Sequence, residues 1–152
     1  MVRIAIVAEA DDEPRVAVSP ETVKKLTGLG CTVAVEAGAG ARSRFSDADL
    51  KAAGAEIAGS AADAIKDADV LLTVARPATE NLSALKSGAI AVAMMDPFGD
   101  RADLDAMAAT GATAFTMEFM PRISRAQSMD VLSSQANLAG YKAVVDAASM
   151  FE

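Results

Sequence analysis

The sequence VRIAIVA at residues 2–8 decides the fold class of this chain. It is apolar apart from Arg3, which is typical of a strand buried inside a sheet. A helix signal follows at Ser19-Pro20-Glu21, with an N-cap serine, a proline in the first turn and an acidic residue near the helix N-terminus. A second apolar run begins at Thr32, after two glycines that end the helix. This order predicts two parallel strands joined by a helix.

The same alternation continues along the chain. Three further apolar runs, at residues 70–74, 89–95 and 112–117, are predicted strands. The helix N-terminal signals between the strands are Ser46 with Asp49, Ser60 with Asp63, Asn81 before a short helix ending at Gly88, and Asp100. We therefore predict an α/β domain over residues 1–130. It is a flavodoxin-like or Rossmann-like three-layer domain with a five-stranded, mainly parallel sheet.

The last segment, residues 131–152, has a helical pattern with two apolar stripes. One stripe runs from Leu132 to Met150 and the other from Leu138 to Ala148, which leaves only a narrow polar face. A helix that is apolar on two sides is normally buried on two sides, and one α/β layer covers only one of them. We expect residues 131–152 to be the start of a linking helix toward a further domain that this chain lacks.

Composition excludes several classes of function. The 152 residues hold 14 Lys and Arg against 21 Asp and Glu, and the net charge of −7 argues against nucleic acid as a partner. The chain has no His and one Cys, so we predict no metal site and no internal disulfide. The free thiol of Cys31 suits a reducing cytoplasm. The apolar runs are too short to span a membrane.

Two local motifs allow alternative interpretations. Residues 38–43, GAGARS, follow a strand, but they lack the third glycine of a dinucleotide fingerprint, so a plain turn is favoured over a phosphate loop. Asp11 and Asp12 follow the first strand, as in phosphoacceptor receiver domains. The Asp and Lys that such a domain needs after later strands are missing, which favours a solvated acidic turn. Hydrolases are disfavoured because no nucleophile or carboxylate pair has a distinguishing context.

One polar stretch, MPRISRAQSMDVLS at residues 120–133, has the composition of a site. It follows the last predicted strand, and open α/β sheets bind ligands at the carboxyl ends of their strands. It contains two arginines, Gln127, Asp130 and several serines. The simpler interpretation is that Asp130 caps the following helix and that the arginines are solvated.

These residues, together with five short motifs, resemble a known family. The motifs are EPRVAVSP at residues 13–20, EAGAG at 36–40, SDA at 46–48, AGA at 53–55 and SSQANLAGYKAV at 133–144. The chain resembles the N-terminal domain shared by alanine dehydrogenase and by the alpha subunit of proton-translocating, Re/Si-specific NAD(P) transhydrogenase. The resemblance covers essentially the whole chain.

The transhydrogenase branch of this family has a loop whose Arg, Gln, Asp and Ser match Arg122, Gln127, Asp130 and Ser133. The resemblance implies that these four residues form the catalytic and cofactor-binding site. Asp130 and Ser133 would fix the nicotinamide of NAD(H), Gln127 would bridge toward NADP(H), and Arg122 would orient the loop and the cofactor. Hydride would then pass directly between the two nicotinamides.

The resemblance also implies partners and a location. NAD(H) would bind in the complete enzyme, NADP(H) would be carried by a partner subunit, and no metal would be needed. The absent domain would be the NAD-binding domain of the same subunit. A homodimer would associate with an NADP-binding and membrane subunit, in the cytoplasm and peripheral to the inner membrane, with hydride transfer coupled to proton translocation. The isolated fragment would be inactive and would bind NADH weakly at most.

Two alternatives remain. An alanine dehydrogenase domain would bind pyruvate and would need a Lys and a His in its pocket. Arg15 is present, but the corresponding regions read TVARP at residues 73–77 and MMD at 94–96, and the chain has no His to carry a proton. The other alternative is a non-catalytic domain that serves assembly or regulation.

Overall fold

A sheet of six strands forms the centre of the first of two compact units. A computed structural model describes residues 1–151. The first unit is Met1–Thr116, and the second begins at Met117. The strands are β1 (Arg3–Ile6), β2 (Thr32–Glu36), β3 (Glu56–Ala58), β4 (Val70–Leu72), β5 (Ile90–Ala93) and β6 (Thr113–Thr116).

The strand order is β3-β2-β1-β4-β5-β6, and every neighbouring pair is parallel. This is the Rossmann order, in which the direction of strand addition reverses next to β1. The reversal lies between β1 and β4, where Ile4 is in register with Val70. The predicted α/β class is therefore confirmed.

Helices cover both faces of this sheet. They are α1 (Pro20–Gly28), α2 (Asp47–Ala52), α3 (Ala61–Ile65), α4 (Thr79–Ser83) and α5 (Arg101–Ala109). Successive residues of β1 point to opposite faces, as the pleat requires. Ile4 and Ile6 belong to one core cluster with Leu50 of α2, whereas Ala5 belongs to another with Leu82 of α4. The VRIAIVA run is apolar throughout because both faces of its strand are buried.

The sheet has one strand more than the five predicted. The additional strand, β3, has three residues and lies at the edge, where it pairs only with β2. Its first residue, Glu56, is exposed, and its carboxylate forms an ion pair with Arg3 at 2.7 Å. A short edge strand that begins with a charge has no apolar run to mark it.

Most predicted helix caps are present. The side chains of Ser19, Ser46, Ser60 and Asp100 each accept a hydrogen bond from a backbone N–H in the first turn of their helix. The prediction for Asn81 is wrong. Helix α4 has Ala78 as its N-cap, and Asn81 is the third helical residue. The backbone of Ala78 leaves the helical region with φ −57° and ψ 146°, and the helix begins there without a side-chain cap.

The second unit contains a long helix and two short 3₁₀ helices. The 3₁₀ helices are Met117–Phe119 and Ser124–Met129, and α6 is Val131–Met150. The predicted helix is thus present, while Glu152 lies outside the described residues. No residue of α6 is buried, and Tyr141 is 74% exposed. Its role as a link to a further domain stays a prediction. No helix within residues 1–151 has the length and apolar character for crossing a membrane.

Candidate functional site

The second unit contains an open cavity of about 250 Å³ that brings the predicted site residues together. It is lined by Arg122, Ile123, Ser124, Gln127, Asp130 and Ser133. All four residues singled out in the sequence are in this group. We call residues 120–133 the site loop.

Two helices bring these side chains together: the 3₁₀ helix Ser124–Met129 carries Gln127, and the start of α6 carries Asp130 and Ser133. A 3₁₀ helix has three residues per turn, so residues three apart lie above one another. Ser124 and Gln127 have this spacing and both line the cavity, and Asp130 follows the helix with an extended backbone. Ala126 is buried and its N–H donates to the Ile123 carbonyl at 2.9 Å, which fixes the first turn.

Asp130 has two structural roles at once. Its Oδ1 accepts hydrogen bonds from the backbone N–H groups of Leu132 at 3.0 Å and Ser133 at 3.2 Å, so it is the N-cap of α6. Its Oδ2 accepts a bond from the Ser133 hydroxyl at 2.5 Å. The hydroxyl bond, the two N–H bonds and the positive charge of Arg122 lower the pKa of Asp130. The carboxylate is therefore ionised at neutral pH.

The other two predicted side chains supply hydrogen-bond donors. Neither Arg122 nor Gln127 has a side-chain hydrogen bond or ion pair within residues 1–151. The cavity thus combines an anionic acceptor, a guanidinium and a primary amide, which matches a small group with both a donor and an acceptor. Its volume is below the roughly 300–1,000 Å³ typical of whole-ligand pockets, so it suits one end of a larger ligand.

A second cavity, of about 350 Å³, lies in the first unit and is lined by residues that follow β1 and β4. Glu9 dominates it. The Glu9 carboxylate accepts bonds from the N–H groups of Val74 at 2.6 Å and Ala75 at 3.2 Å. Burial raises the pKa of Glu9, and these two bonds only partly oppose the increase. The neighbouring sequence does not reveal a role for Glu9, because Val74 lies 65 residues away.

The two arginines of the alanine dehydrogenase interpretation are engaged by protein groups. The Arg15 guanidinium bonds the Glu13 carboxylate at 2.6 and 2.7 Å. The Arg76 guanidinium donates to the Met95 carbonyl at 2.8 Å and to Asp103 at 2.8 Å. No buried side-chain nitrogen or oxygen in residues 1–151 lacks a hydrogen-bond partner. Both guanidinium groups are therefore already engaged by protein acceptors, whereas the side-chain amide of Asn81, which also lines the cavity of the first unit, has no hydrogen-bond partner within residues 1–151.

The glycine-containing turn at residues 38–43 serves the fold. Arg42 donates hydrogen bonds to the carbonyls of Glu9, Ala10 and Asp11 at 2.6 to 2.8 Å, so the turn holds the segment after β1. Gly40 has no room for a side chain, because an added Cβ would lie 2.7 Å from the Phe45 carbonyl oxygen. Within residues 1–151, no group of three or more Asp, Glu, Cys or His is placed to hold a metal ion.

Comparisons with known proteins agree with this architecture. A family model described as alanine dehydrogenase/PNT, N-terminal domain, matches residues 5–139. The first part of NAD(P) transhydrogenase subunit alpha of Rhodospirillum rubrum is 50% identical over 144 residues, which are 91% of this chain and 38% of that protein. Alanine dehydrogenase of Mycobacterium tuberculosis is 35% identical over 139 residues, which are 91% of this chain and 37% of that protein.

A solved structure matches more completely. The crystal structure of transhydrogenase from Sinorhizobium meliloti superposes with a TM-score of 0.90 at 55% identity, and the match covers 99% of this chain and 45% of that one. The chain therefore spans less than half the length of these relatives.

Proposed function

The chain belongs to the alanine dehydrogenase/PNT N-terminal domain family, and from this premise we propose that it is the N-terminal domain of an NAD(P) transhydrogenase alpha subunit. In that enzyme the site loop positions the nicotinamide of NAD(H) for direct hydride transfer to or from NADP(H). The transfer is coupled to proton translocation.

One observation carries the proposal. Arg122, Gln127, Asp130 and Ser133 line a single cavity in one short segment. Their spacing in the chain does not by itself require this, since a capping role for Asp130 with solvated neighbours is equally compatible with the sequence. The cavity gives the four side chains a shared space that suits one end of a larger ligand, in addition to the cap.

The donor set of the cavity fits a nicotinamide. When bound, that group supplies the ring carbon that gives or accepts the hydride, and it carries a carboxamide with two N–H donors and one carbonyl acceptor. Asp130, held by Ser133, would accept a hydrogen bond from the carboxamide N–H, Arg122 would orient the loop and the cofactor, and Gln127 would bridge toward NADP(H). The size of the cavity agrees with a site for one end of a dinucleotide.

The protein's contribution to the reaction is to orient the cofactor. The Ser133 hydroxyl holds one carboxylate oxygen of Asp130, and two backbone N–H groups hold the other. A carboxylate fixed in this way would give a bound carboxamide an acceptor at a defined position and so would restrict its orientation. Orientation of this kind contributes to catalysis without a proton carrier, and direct hydride transfer needs none. The absence of His from the chain is therefore compatible with transhydrogenation.

The other components of the enzyme follow from the same proposal. Helix α6 leads from this domain to the NAD-binding domain of the same subunit, and NADP(H) is carried by a partner subunit that also contains the membrane portion. The subunit is a homodimer, cytoplasmic and peripheral to the inner membrane. The isolated chain has little affinity for NADH, because the site loop contacts only the nicotinamide end.

Asp130→Asn in the complete enzyme tests the proposal. Asn is as good an N-cap as Asp, so α6 keeps its start while the cavity loses its negative charge. We expect hydride transfer to fall about 100-fold, the size of effect that a misplaced reacting group produces. Asp100→Asn is the matched control, since Asp100 caps α5 in the first unit and does not line this cavity.

The outcomes separate the alternatives. Loss of hydride transfer with subunit assembly intact supports the proposal, provided that Asp100→Asn retains activity. Unchanged turnover with weakened assembly would instead support a non-catalytic assembly domain. Alanine-dependent reduction of NAD by the complete enzyme would support the alanine dehydrogenase alternative.

A further inference from the structure

The cavity of about 350 Å³ in the first unit lies where open parallel sheets bind ligands. Its lining residues follow the carboxyl ends of β1 and β4, the two strands between which the direction of strand addition reverses. Ligands of α/β sheets bind in the crevice at this reversal. The volume falls within the roughly 300–1,000 Å³ of pockets that enclose a whole small molecule. We call this space the switch-point cavity.

Three side chains that line the switch-point cavity have acceptors left for a ligand. Each carboxylate oxygen of Glu9 accepts one backbone N–H, from Val74 or Ala75, and keeps a second lone pair. The Thr73 hydroxyl is buried and donates to the Ala75 carbonyl at 2.8 Å, so its oxygen is still able to accept. The Asn81 side chain has no hydrogen bond within residues 1–151, and its amide oxygen is the third acceptor.

The charges around this cavity favour a cation over an anion. Glu9 is half-buried and has no ion pair within residues 1–151. Of the charged side chains that act on the pKa of Glu9, Glu13 raises it more than Arg15 lowers it. Arg76 also lines the cavity, but each of its guanidinium nitrogens already donates to a protein oxygen. The cavity therefore has a carboxylate without a paired cation.

We propose that the switch-point cavity binds a small primary ammonium ion with a short apolar chain. An ammonium group has three N–H donors and no acceptor, and it finds three acceptors here, one of them charged. Hydrogen bonds to a carboxylate are about twice as strong as neutral ones. The rest of the lining suits the chain, since it is formed mainly by Val7, Ala8, Ala10, Pro77 and Ala78. An anionic ligand would be repelled by Glu9 and would find no free guanidinium.

The test is a saturation-transfer NMR titration of the complete alpha subunit with propylammonium chloride. We expect a Kd on the order of 1 mM, because so small a ligand has few atoms with which to bind. Asn81→Ala removes one hydrogen bond and should raise the Kd roughly threefold to tenfold. This variant loses no contact that the fold uses, since the Asn81 side chain has no partner. Glu9→Gln removes the charge and should raise the Kd by at least about tenfold.

Glu80→Gln is the matched control. Glu80 is an exposed carboxylate of α4 that does not line the cavity, so its replacement changes only the general attraction of the protein for cations. We expect the Kd of propylammonium to stay within about twofold of the parent value, since exposed charges contribute little. 1-Propanol and sodium propionate have similar chains with a neutral and an anionic end, and both should bind more weakly than propylammonium.

Three results would overturn the inference. Propanol or propionate could bind as tightly as propylammonium, which would show that the cavity does not select for a cation. Glu80→Gln could raise the Kd as much as Asn81→Ala, and the overall negative charge would then account for binding. An equal concentration of potassium chloride could displace the probe, which would identify a site for inorganic cations. The inference is independent of the proposed function, because hydride transfer in Asp130→Asn is measured separately and concerns the other cavity.

Discussion

The two units of the chain differ in how much of their side-chain surface is buried and in whether the arginine of each cavity is already bonded to protein groups. Every buried hydrophobic side chain of residues 1–151 lies in the first unit, with the single exception of Ala126. The first unit also has a larger cavity, in which the charged side chains Glu9 and Arg76 are already bonded to protein groups. The second unit has almost no core and an open cavity with unbonded donors. The first unit provides stability, and the candidate chemistry lies in the second.

The largest expected effect on stability is in the centre of the sheet. Leu71 of β4 is 0% exposed, so Leu71→Ala should lower the free energy of unfolding by about 3 kcal/mol. Leu138→Ala is the matched control in α6, where the leucine is 60% exposed, and it should change this free energy by less than about 0.5 kcal/mol. Urea unfolding measures both. Equal effects would show that α6 is part of the same core.

A smaller effect on the free energy of unfolding is expected from Glu9, whose carboxylate is bonded to backbone groups in the cavity of the first unit. Glu9→Gln keeps the shape of the side chain but replaces one acceptor oxygen by an N–H₂ group that faces the N–H of Val74 or Ala75. The unsatisfied donor should lower the free energy of unfolding by about 1–2 kcal/mol. Urea unfolding checks the value. Glu13→Gln is the control, because Glu13 bonds Arg15 at the surface rather than the segment after β4.

The N-cap of α1 belongs to a helix that packs on the core of the first unit, unlike the cap of α6 in the second unit. The Ser19 hydroxyl accepts a bond from the Thr22 N–H at 3.2 Å, and α1 packs on the sheet through the buried Val23. Ser19→Ala should therefore lower the free energy of unfolding of the first unit by about 1 kcal/mol. Ser19→Asn keeps a capping oxygen and should restore most of this loss. Thermal unfolding would contradict the expectation if both variants were equally destabilised.

The fold could be predicted because its signals are local. Apolar runs, capping serines and terminal glycines act within a few residues, and they correctly give five strands and most helix starts. Strand β3 was missed because its pairing with β2, through Ala34 and Glu56, is a tertiary contact that three residues cannot encode. The start of α4 was misplaced because this helix has no side-chain cap, so the polar side chain of Asn81 does not mark its first residue.

The site was only partly predictable for a similar reason. The residue types of the site loop and the cap at Asp130 were evident, but the position of Gln127 depends on a 3₁₀ helix, and no sequence pattern distinguishes three residues per turn from a polar loop. Glu9 was missed because it follows β1, whereas its partners Val74 and Ala75 follow β4. Long-range hydrogen bonds of this kind follow from the strand order rather than from the neighbouring sequence.

The smallest expected effect concerns the proton affinity of the cap in the second unit. The Ser133 hydroxyl is the largest cause of the lowered pKa of Asp130, followed by the backbone N–H of Ser133. Ser133→Ala should therefore raise this pKa toward the ordinary aspartate value, as measured by the carboxyl carbon shift in an NMR titration. Ser134→Ala is the matched control, since the Ser134 hydroxyl donates to the Val131 carbonyl and does not contact Asp130.

The sign of the pH dependence follows from the direction of this shift. Because the folded state lowers the pKa of Asp130, the capping contribution is fully present above the pKa of the unfolded chain and is lost as pH falls through the folded value. In the parent chain, the start of α6 should thus persist to a pH below the usual aspartate range. In Ser133→Ala it should fray at higher pH. If the two chains lost helix content by circular dichroism at the same pH, the cap would not depend on the hydroxyl, and Ser133 would be free to serve a ligand alone.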